Sequence, residues 1–215
     1  MTEELHKENL KIPVGISSCL LGERVRYDGG HKGHSYITGT LGDYFEFQPF
    51  CPEVAIGLGI PRKPIRLWRN ENKKIRCVSA SNSKLDFTEQ LEDCGEAQYD
   101  WHKHLCGYIL KKDSPSCGME RVKIWDDVMP KREGVGVYAD KLIKNFPYLP
   151  VEEEGRLGDA ILRENFIQRV FAMHRWFKFV SKGLSISQLV DFHARHKLIL
   201  MSHDQTSYRE LGQLV

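Results

Sequence analysis

Short apolar segments that alternate with helical stretches constrain the fold of this chain more than any other feature of its sequence. Strand-like runs are expected at Ile12–Ser18, Phe45–Phe50 and Gly107–Lys111, and each runs into a turn or loop marked by glycine or proline. Helical patterns occur at Asp86–Leu105 and Tyr138–Asn145. This alternation favours an α/β fold with a mostly parallel sheet and flanking helices.

Three smaller expectations concern the segments in between. Ile65–Arg69 and Lys74–Ser79 flank a polar turn, which predicts a β-hairpin or a pair of strands. Ser35–Tyr44 is interpreted as a short helix despite its two glycines. Asp86 and Glu89 have the spacing of a capping box, so we expect the helix to begin there.

The pattern changes near residue 155. Phe146–Gly155 holds two prolines and three consecutive glutamates, and it is interpreted as a linker. Beyond it the pattern is purely helical, with Gly183 ending one helix and Ser185 capping the next. We therefore expect an α/β domain at residues 1–155 and a small all-α domain at residues 156–215.

The charge distribution excludes a uniformly polycationic protein, because the net charge is only +2. Residues 156–215 nevertheless carry 9 basic and 5 acidic side chains, a local charge of +4. If the segment is helical, with a rotation of about 100° per residue, five cations lie on one side of the helix, separate from its apolar side. They are Arg156, Arg163, Arg175, Lys178 and Lys182. A phosphate backbone or plain solvent would suit such a face.

The N-terminal segment Met1–Lys11 is polar and charged, so it does not resemble a signal peptide. No segment approaches the roughly 18 uninterrupted apolar residues of a membrane span. We therefore expect a cytoplasmic protein without a membrane partner. In that compartment its six cysteines are expected to be reduced, and hence buried, metal-binding or catalytic.

Three of the cysteines share a placement. Cys19, Cys51 and Cys117 each lie in a loop just after a predicted strand, where ligands of open α/β sheets collect. Their spacings of 32 and 66 residues match neither a zinc ribbon nor a ferredoxin. From the residues alone, a metal site and three buried small side chains both remain open. The other three are interpreted as buried small side chains: Cys77, Cys94 and Cys106.

The residues around the three loop cysteines resemble, in order and content, the thiouracil desulfidase (TudS-type) family. The similar segments are Ser17-Ser-Cys-Leu-Leu-Gly22, Arg26-Tyr-Asp-Gly29, Cys51-Pro-Glu53, Gly107-Tyr-Ile-Leu-Lys111 and Ser114-Pro-Ser-Cys-Gly118. The resemblance covers about residues 12–155. The tail, through Phe192-His-Ala-Arg-His-Lys197, resembles the opening of a YbgA-type helical domain, which we expect to be incomplete. This fusion resembles desulfidases proposed to act on 4-thiouridine in tRNA.

The resemblance implies a cofactor and a reaction. Cys19, Cys51 and Cys117 would ligate a [4Fe-4S] cluster and leave one iron without a protein ligand. That iron suits the soft sulfur of a thiocarbonyl group. The implied reaction is non-redox removal of sulfur from 4-thiouracil rings, above all 4-thiouridine in tRNA. The alternatives are a desulfidase of free thiouracil or thiolated nucleotides, and a non-catalytic RNA-binding protein with structural zinc.

Glu53 and Ser114 are the expected catalytic residues. Glu53 lies two residues after a ligand and would transfer a proton, whereas the alternative is simple pairing with an arginine. Ser114 would orient substrate or water, because no partner base is evident in the sequence. Asp113 is interpreted as a turn residue.

Several cations are candidates for holding substrate or RNA, with solvated surface charge as the alternative. Those on the site loops are Arg24, Arg26, Arg62 and Lys63, and those on the helical face are Arg175 and Lys178. His193 and His196 lie three residues apart and are interpreted as ordinary helix histidines, because no third metal ligand is apparent.

Overall fold

The computed structural model describes residues 11–126 and 129–215. The N-terminal segment Met1–Lys11 therefore lies outside the described residues, except for Lys11. The chain forms two compact units, of which the first ends at Phe171 and the second runs from Ala172 to Val215.

The elements follow in chain order. The strands are β1 (Ile12–Ser17), β2 (Phe45–Phe50), β3 (Ile65–Arg69), β4 (Ile75–Ser79), β5 (Gly107–Leu110), β6 (Val122–Trp125), β7 (Lys131–Gly134) and β8 (Val151–Glu153). The helices are α1 (Ser35–Thr38), α2 (Pro52–Ala55), α3 (Thr88–Ala97), α4 (Tyr99–His102), α5 (Val137–Asn145), α6 (Ala160–Val180), α7 (Ile186–His203) and α8 (Gln205–Leu214). The α/β class with a parallel sheet and C-terminal helices is confirmed.

The first sheet, sheet A, is parallel throughout and has the strand order β2-β1-β5-β8. Its central strand β1 is almost fully buried, as its continuous apolar sequence predicts for a strand covered on both faces. Gly15 of β1 lies against the ring of Tyr108, where a Cβ atom would come within 2.4 Å of a ring carbon. The glycine thus permits the close packing that keeps β1 beside β5.

The second sheet, sheet B, has the order β4-β3-β6-β7. Its β3–β4 pair is the predicted hairpin, with Leu67 opposite Cys77. One face of the sheet is buried with Leu91 of α3, and Cys77 lies in this core as a small apolar side chain, as expected. Strand β6 was not predicted, and the strand end expected at Gly134–Val137 overlaps β7 only at Gly134, so the extent of sheet B is a structural finding.

The segment interpreted as a linker belongs to the fold instead. Val151–Glu153 forms β8, which pairs with β5 at the edge of sheet A. Glu152 and Glu153 are buried there, with 6% and 2% of their surfaces exposed. Each has partners that offset the cost of burial: Arg156 donates to Glu152 at 2.6 Å, and the Met119 amide donates to Glu153 at 2.8 Å. The linker interpretation is therefore wrong.

The predicted helix at Asp86–Leu105 begins later and is interrupted at Gln98. The capping-box interpretation is wrong, because Phe87 occupies the N-cap position. The Asp86 carboxylate accepts from the Thr88 amide at 2.8 Å and from Arg76 at 2.6 Å. Ser35–Tyr44 contains the predicted short helix as α1, followed by a 3-10 turn at Leu41–Asp43.

The C-terminal pattern forms three helices, α6 to α8. Gly183, with a φ of 83°, follows α6, and the Ser185 hydroxyl accepts from the Gln188 amide at the start of α7, as predicted. Arg156 precedes α6 and pairs with Glu120 and Glu152, so it is not part of a free basic helix face. Among the described residues, no helix is both long and apolar enough to cross a membrane.

Candidate active site

The three loop cysteines lie at the carboxyl edge of sheet A. Cys19 is in a 3-10 turn after β1, Cys51 directly follows β2, and Cys117 is in the loop after β5. Parallel strands bring these loops to the same edge of the sheet. All three cysteines line one cavity of about 380 Å³.

The loop that carries Cys117 is held by the start of α5. Gly136 packs against it so closely that a Cβ atom would come within 2.7 Å of the Cys117 nitrogen. The amide of Gly136 donates to the Gly118 carbonyl at 2.7 Å, and the amide of Val137 donates to Pro115. These contacts place the cysteine against the cavity without involving its thiol.

None of the six cysteines, all of which lie in the described residues, forms a disulfide bond. Burial raises the pKa of Cys19 to about 11, and it also raises the pKa of Cys51 and of Cys117. The charge of the Cys51 thiolate further raises the pKa of both other thiols. Three thiolates in this cavity therefore require a strongly cationic group among them.

The donor set fits an iron–sulfur group, because three cysteines lining one cavity supply the soft sulfur ligands that such clusters take. Over residues 11–126 and 129–215, no three His, Cys, Asp or Glu side chains stand where they could hold a single metal ion. Cys94 lies half-buried on α3, and Cys106 is buried just before β5.

Glu53 lies on α2 and lines the same cavity. Its Oε2 accepts from Arg62 Nη2 at 2.7 Å and from Arg62 Nε at 2.9 Å. Its Oε1 accepts from the Ser116 hydroxyl at 2.7 Å. The arginine pairing weighed against a catalytic role is thus present, and the carboxylate also lines the cavity with the cysteines.

Ser116 was missed by the sequence analysis. It is buried, donates to Glu53, and lies 2.9 Å from the Ser114 hydroxyl. Because the carboxylate only accepts, the Ser114 hydroxyl is the donor to Ser116. A hydrogen-bonded chain therefore runs from Ser114 through Ser116 to Glu53. The signal was the second serine of Ser-Pro-Ser-Cys, but its partner lies 63 residues away in sequence.

Ser114 also fixes the turn around it, because its Oγ accepts from the Cys117 amide at 3.1 Å. Asp113 beside it has a left-handed φ of 61°, consistent with a turn residue, and its carboxylate accepts from Arg132 at 2.6 Å. Although burial acts to raise the pKa of Asp113, the hydrogen bond and charge of Arg132 outweigh it and lower the pKa.

The four loop cations separate into two pairs. Arg26 and Arg62 line the cavity. Arg62 donates to the Val25 carbonyl at 2.9 Å in addition to Glu53, so its charge is engaged within the protein. Arg24 and Lys63 are exposed and do not line this cavity.

Lys111 is a second residue that the sequence analysis missed. It follows β5, lines the cavity and forms an ion pair with Glu154. Its charge acts to lower the pKa of Cys19, against the larger effect of burial. It is therefore the lysine placed to favour a thiolate at that position.

In the second unit, Arg175 and Lys178 are exposed on α6. Arg175 Nη1 lies 3.3 Å from Nε2 of His196. The His196 ring stacks on Phe192 at 4.2 Å, and its Nδ1 lies 2.7 Å from the Phe192 carbonyl. His193 Nε2 is buried without a hydrogen-bond partner among the described residues.

The fold and the site define a class of α/β proteins in which three cysteines and a glutamate surround one cavity at the edge of a parallel sheet. Residues 14–154 match the family described as 2-thiouracil desulfurase, and the chain belongs to this family.

Two comparisons cover most of the chain. The solved structure of the [4Fe-4S]-dependent thiouracil desulfidase TudS is similar with a TM-score of 0.56 and 30% identity, over 72% of this chain and 99% of that chain. The uncharacterized protein YbbK of Bacillus subtilis is 30% identical over 153 residues, which are 68% of this chain and 98% of that protein.

A third relative is similar over a shorter stretch. The uncharacterized protein YbgA of Escherichia coli is 40% identical over 47 residues, or 22% of this chain. The match spans 28% of the length of that protein.

Proposed function

We propose that this protein is a [4Fe-4S]-dependent, non-redox desulfidase that converts 4-thiouracil rings to uracil, with 4-thiouridine in tRNA as its substrate. One observation carries the proposal: Cys19, Cys51, Cys117 and Glu53 line a single cavity. Membership of the thiouracil desulfurase family supports the reaction class.

Three cysteines are proposed as the ligands of the cluster. Cys19, Cys51 and Cys117 would hold it, and the TudS structural neighbour supports its presence. When bound, such a cluster would supply an iron that acts as a Lewis acid toward the soft thiocarbonyl sulfur.

The residues of the chain would supply the proton transfer. Glu53 would accept a proton from the water that attacks the ring carbon, while Ser114 and Ser116 hold the carboxylate and order that water. The water oxygen replaces sulfur at the ring carbon, and its two protons balance the sulfur that leaves as hydrogen sulfide. No electrons are gained or lost, so no oxidant or reductant is needed.

The size of the cavity bears on the substrate. The cavity of about 380 Å³ would have to hold the cluster together with the substrate and is near the lower end of small-molecule sites, which favours a single base inside it. An enzyme that modifies a base in RNA must take that base out of its stack and into a pocket. The +4 charge of residues 156–215 supports a polyanionic substrate larger than a free base. Free thiouracil and thiolated nucleotides are the alternative substrates.

Cysteine variants test the cluster assignment. Cys19→Ala, Cys51→Ala and Cys117→Ala should each abolish stable binding of iron and sulfide after anaerobic reconstitution. Cys94→Ala is the matched control and should retain both. Wild-type protein should be brown, with broad absorbance near about 400 nm. A colourless protein that binds zinc would instead support the non-catalytic alternative, and full iron content in Cys117→Ala would refute the ligand assignment.

Substrate size is tested by anaerobic assays on thiolated tRNA, 4-thiouridine monophosphate and free 4-thiouracil side by side. We expect the highest kcat/KM for tRNA. A higher value for the free base would transfer the proposal to the alternative substrates.

A further inference from the structure

The outer face of sheet B, opposite its buried core, is basic and aromatic. Side chains alternate along each strand, so Ile65 and Leu67 point into the core while Arg66 and Trp68 of β3 point outward. On β6, Lys123 projects on the same face as Arg66 and Trp68. This outer face is adjacent to the active-site cavity but forms no part of the mechanism above.

The charge of sheet B is strongly positive. Its four strands contain one acidic residue, Glu133, and six basic residues: Arg66, Arg69, Arg76, Lys123, Lys131 and Arg132. Arg69, Arg76 and Arg132 pair with carboxylates. Across the described ranges, Arg66 and Lys123 form no ion pair, so their charges are available to an anionic partner.

Two indoles lie side by side on this face. Trp68 and Trp125 are partners in the parallel register of β3 and β6, and both are partly exposed. The Arg66 guanidinium lies 4.8 Å from the Trp68 ring centroid and 5.6 Å from that of Trp125. Its Nε is buried without a hydrogen-bond partner in the part of the chain that the structure describes. An arginine packed against two indoles and without a carboxylate partner is a cation that an anionic ligand would pair with.

This face is continuous with the active site. Arg66, Lys123 and Trp125 line a second cavity of about 280 Å³. That cavity shares Asp113 and Pro115 with the cavity that holds the cysteines. A polymer whose reacting base enters the first cavity would therefore pass its neighbouring units over the second.

We propose that the outer face of sheet B binds the single-stranded RNA nucleotides that flank the thiolated base, an inference that rests on the proposed function. Unstacked bases would lie on Trp68 and Trp125, because sequence-tolerant recognition of single strands uses aromatic side chains as stacking platforms. Arg66 and Lys123 would contact phosphates. The neighbouring cavity would receive the extruded base.

The combination of indoles and cations favours RNA over an acidic protein. An acidic peptide would pair with Arg66 and Lys123, but it would offer the two indoles no flat surface to stack on. A duplex would keep its bases stacked and inaccessible to them.

RNA binding is tested directly, without relying on turnover. The probe is a fluorescein-labelled, uridine-rich RNA of about ten nucleotides, a length within the range of single-strand binding sites. Its affinity for the full-length, cluster-loaded protein is measured by fluorescence anisotropy at several salt concentrations. Trp125→Ala should weaken binding about 5- to 150-fold, since each stacked base contributes about 1–3 kcal/mol.

Lys123→Glu changes an exposed side chain and does not threaten the core. It should weaken binding and reduce the slope of log affinity against log salt by at least about 0.7, the value for one lost phosphate contact. Lys144→Glu makes the same charge change at an exposed side chain of α5 and should leave affinity and slope as in wild type. Trp125→Phe keeps an aromatic ring and should restore much of the affinity lost in Trp125→Ala.

Wild-type affinity in both Trp125→Ala and Lys123→Glu would overturn the proposal. Equal competition by a polyglutamate peptide would also overturn it in favour of an acidic protein partner. Failure of the proposed function has a different signature: no turnover of any thiolated substrate, while the anisotropy still separates the variants from wild type. Conversely, unaltered anisotropy together with active desulfidation would refute only the RNA surface.

Discussion

Ser116 connects the serine loop to the carboxylate of Glu53, and Ser116→Ala isolates this connection. The substitution removes the 2.7 Å hydrogen bond to Oε1 of Glu53 and the acceptor of the Ser114 hydroxyl. The pair between Arg62 and Oε2 remains. A hydrogen bond to a charged group contributes about 1.5–3 kcal/mol. If all of this stabilisation acts in the transition state, the rate should fall about 10- to 150-fold.

The assay separates positioning from assembly of the site. Iron and sulfide content are measured first, and then kcat and KM for free 4-thiouracil under anaerobic conditions. We expect Ser116→Ala to retain its cluster and its KM while kcat falls. Ser79→Ala is the matched control, because Ser79 is also a buried serine but lies on β4 and bonds Ser81 instead of a site residue. It should leave kcat unchanged.

Two results would refute this reasoning. Wild-type kcat in Ser116→Ala would mean that Arg62 alone holds Glu53 in its active position. Loss of the cluster would mean that Ser116 acts on Cys117, whose sulfur lies 3.5 Å from its hydroxyl.

Three further changes test other parts of the molecule. Glu53→Gln keeps the shape of the side chain without its basicity, so kcat should fall at least about 10²-fold while iron content stays constant; wild-type kcat would move proton transfer elsewhere. The double variant Arg175→Glu/Lys178→Glu should lower kcat/KM for thiolated tRNA but not for free 4-thiouracil, and equal loss on both would indicate damaged folding. Burial lowers the pKa of His102 to about 4 from its ordinary value of 6.5, so the unfolded chain binds the proton more readily. The contribution of neutral His102 to the free energy of unfolding is full above about pH 6.5 and decreases as the pH falls toward 4, by about 3 kcal/mol in all. Urea titrations should therefore show that the free energy of unfolding depends less on pH in His102→Phe than in wild type. An equal pH dependence in the two proteins would contradict this assignment.

The strands that could be predicted from the sequence are those whose hydrophobic pattern indicates burial. β1 and β5 are runs of apolar residues closed by turns, β2 alternates phenylalanine with polar residues, and the β3–β4 hairpin brackets a polar turn. Their loops carry Cys19, Cys51 and Cys117, so the carboxyl-edge rule for parallel sheets also predicted that these residues share a cavity.

The elements that were missed depend on contacts between distant residues. β8 carries Glu152 and Glu153, which look solvent-exposed until Arg156 and the Met119 amide are seen to satisfy them. β7 is an edge strand, where charged side chains are common and hide the strand pattern. The local sequence gives no information about these contacts with distant residues.

The residues proposed for catalysis could be identified only in part, for the same reason. Glu53 and Ser114 could be proposed from their distance to the cysteines along the chain. Ser116 could not, because its role depends on a carboxylate from another loop. The outer face of sheet B required the pairing of β3 with β6, which alone brings Trp68 beside Trp125.

The packing of Gly107 determines where the desulfidase part of this chain can be separated. A Cβ atom on Gly107 would come within 2.6 Å of Val170 and 3.4 Å of Phe166, both buried residues of α6. A fragment ending at residue 155 would keep every residue of the cavity, yet it would expose the apolar surface over β5 to water and to other chains. A soluble, self-sufficient catalytic fragment must therefore include the first three turns of α6, beyond the boundary drawn from sequence similarity.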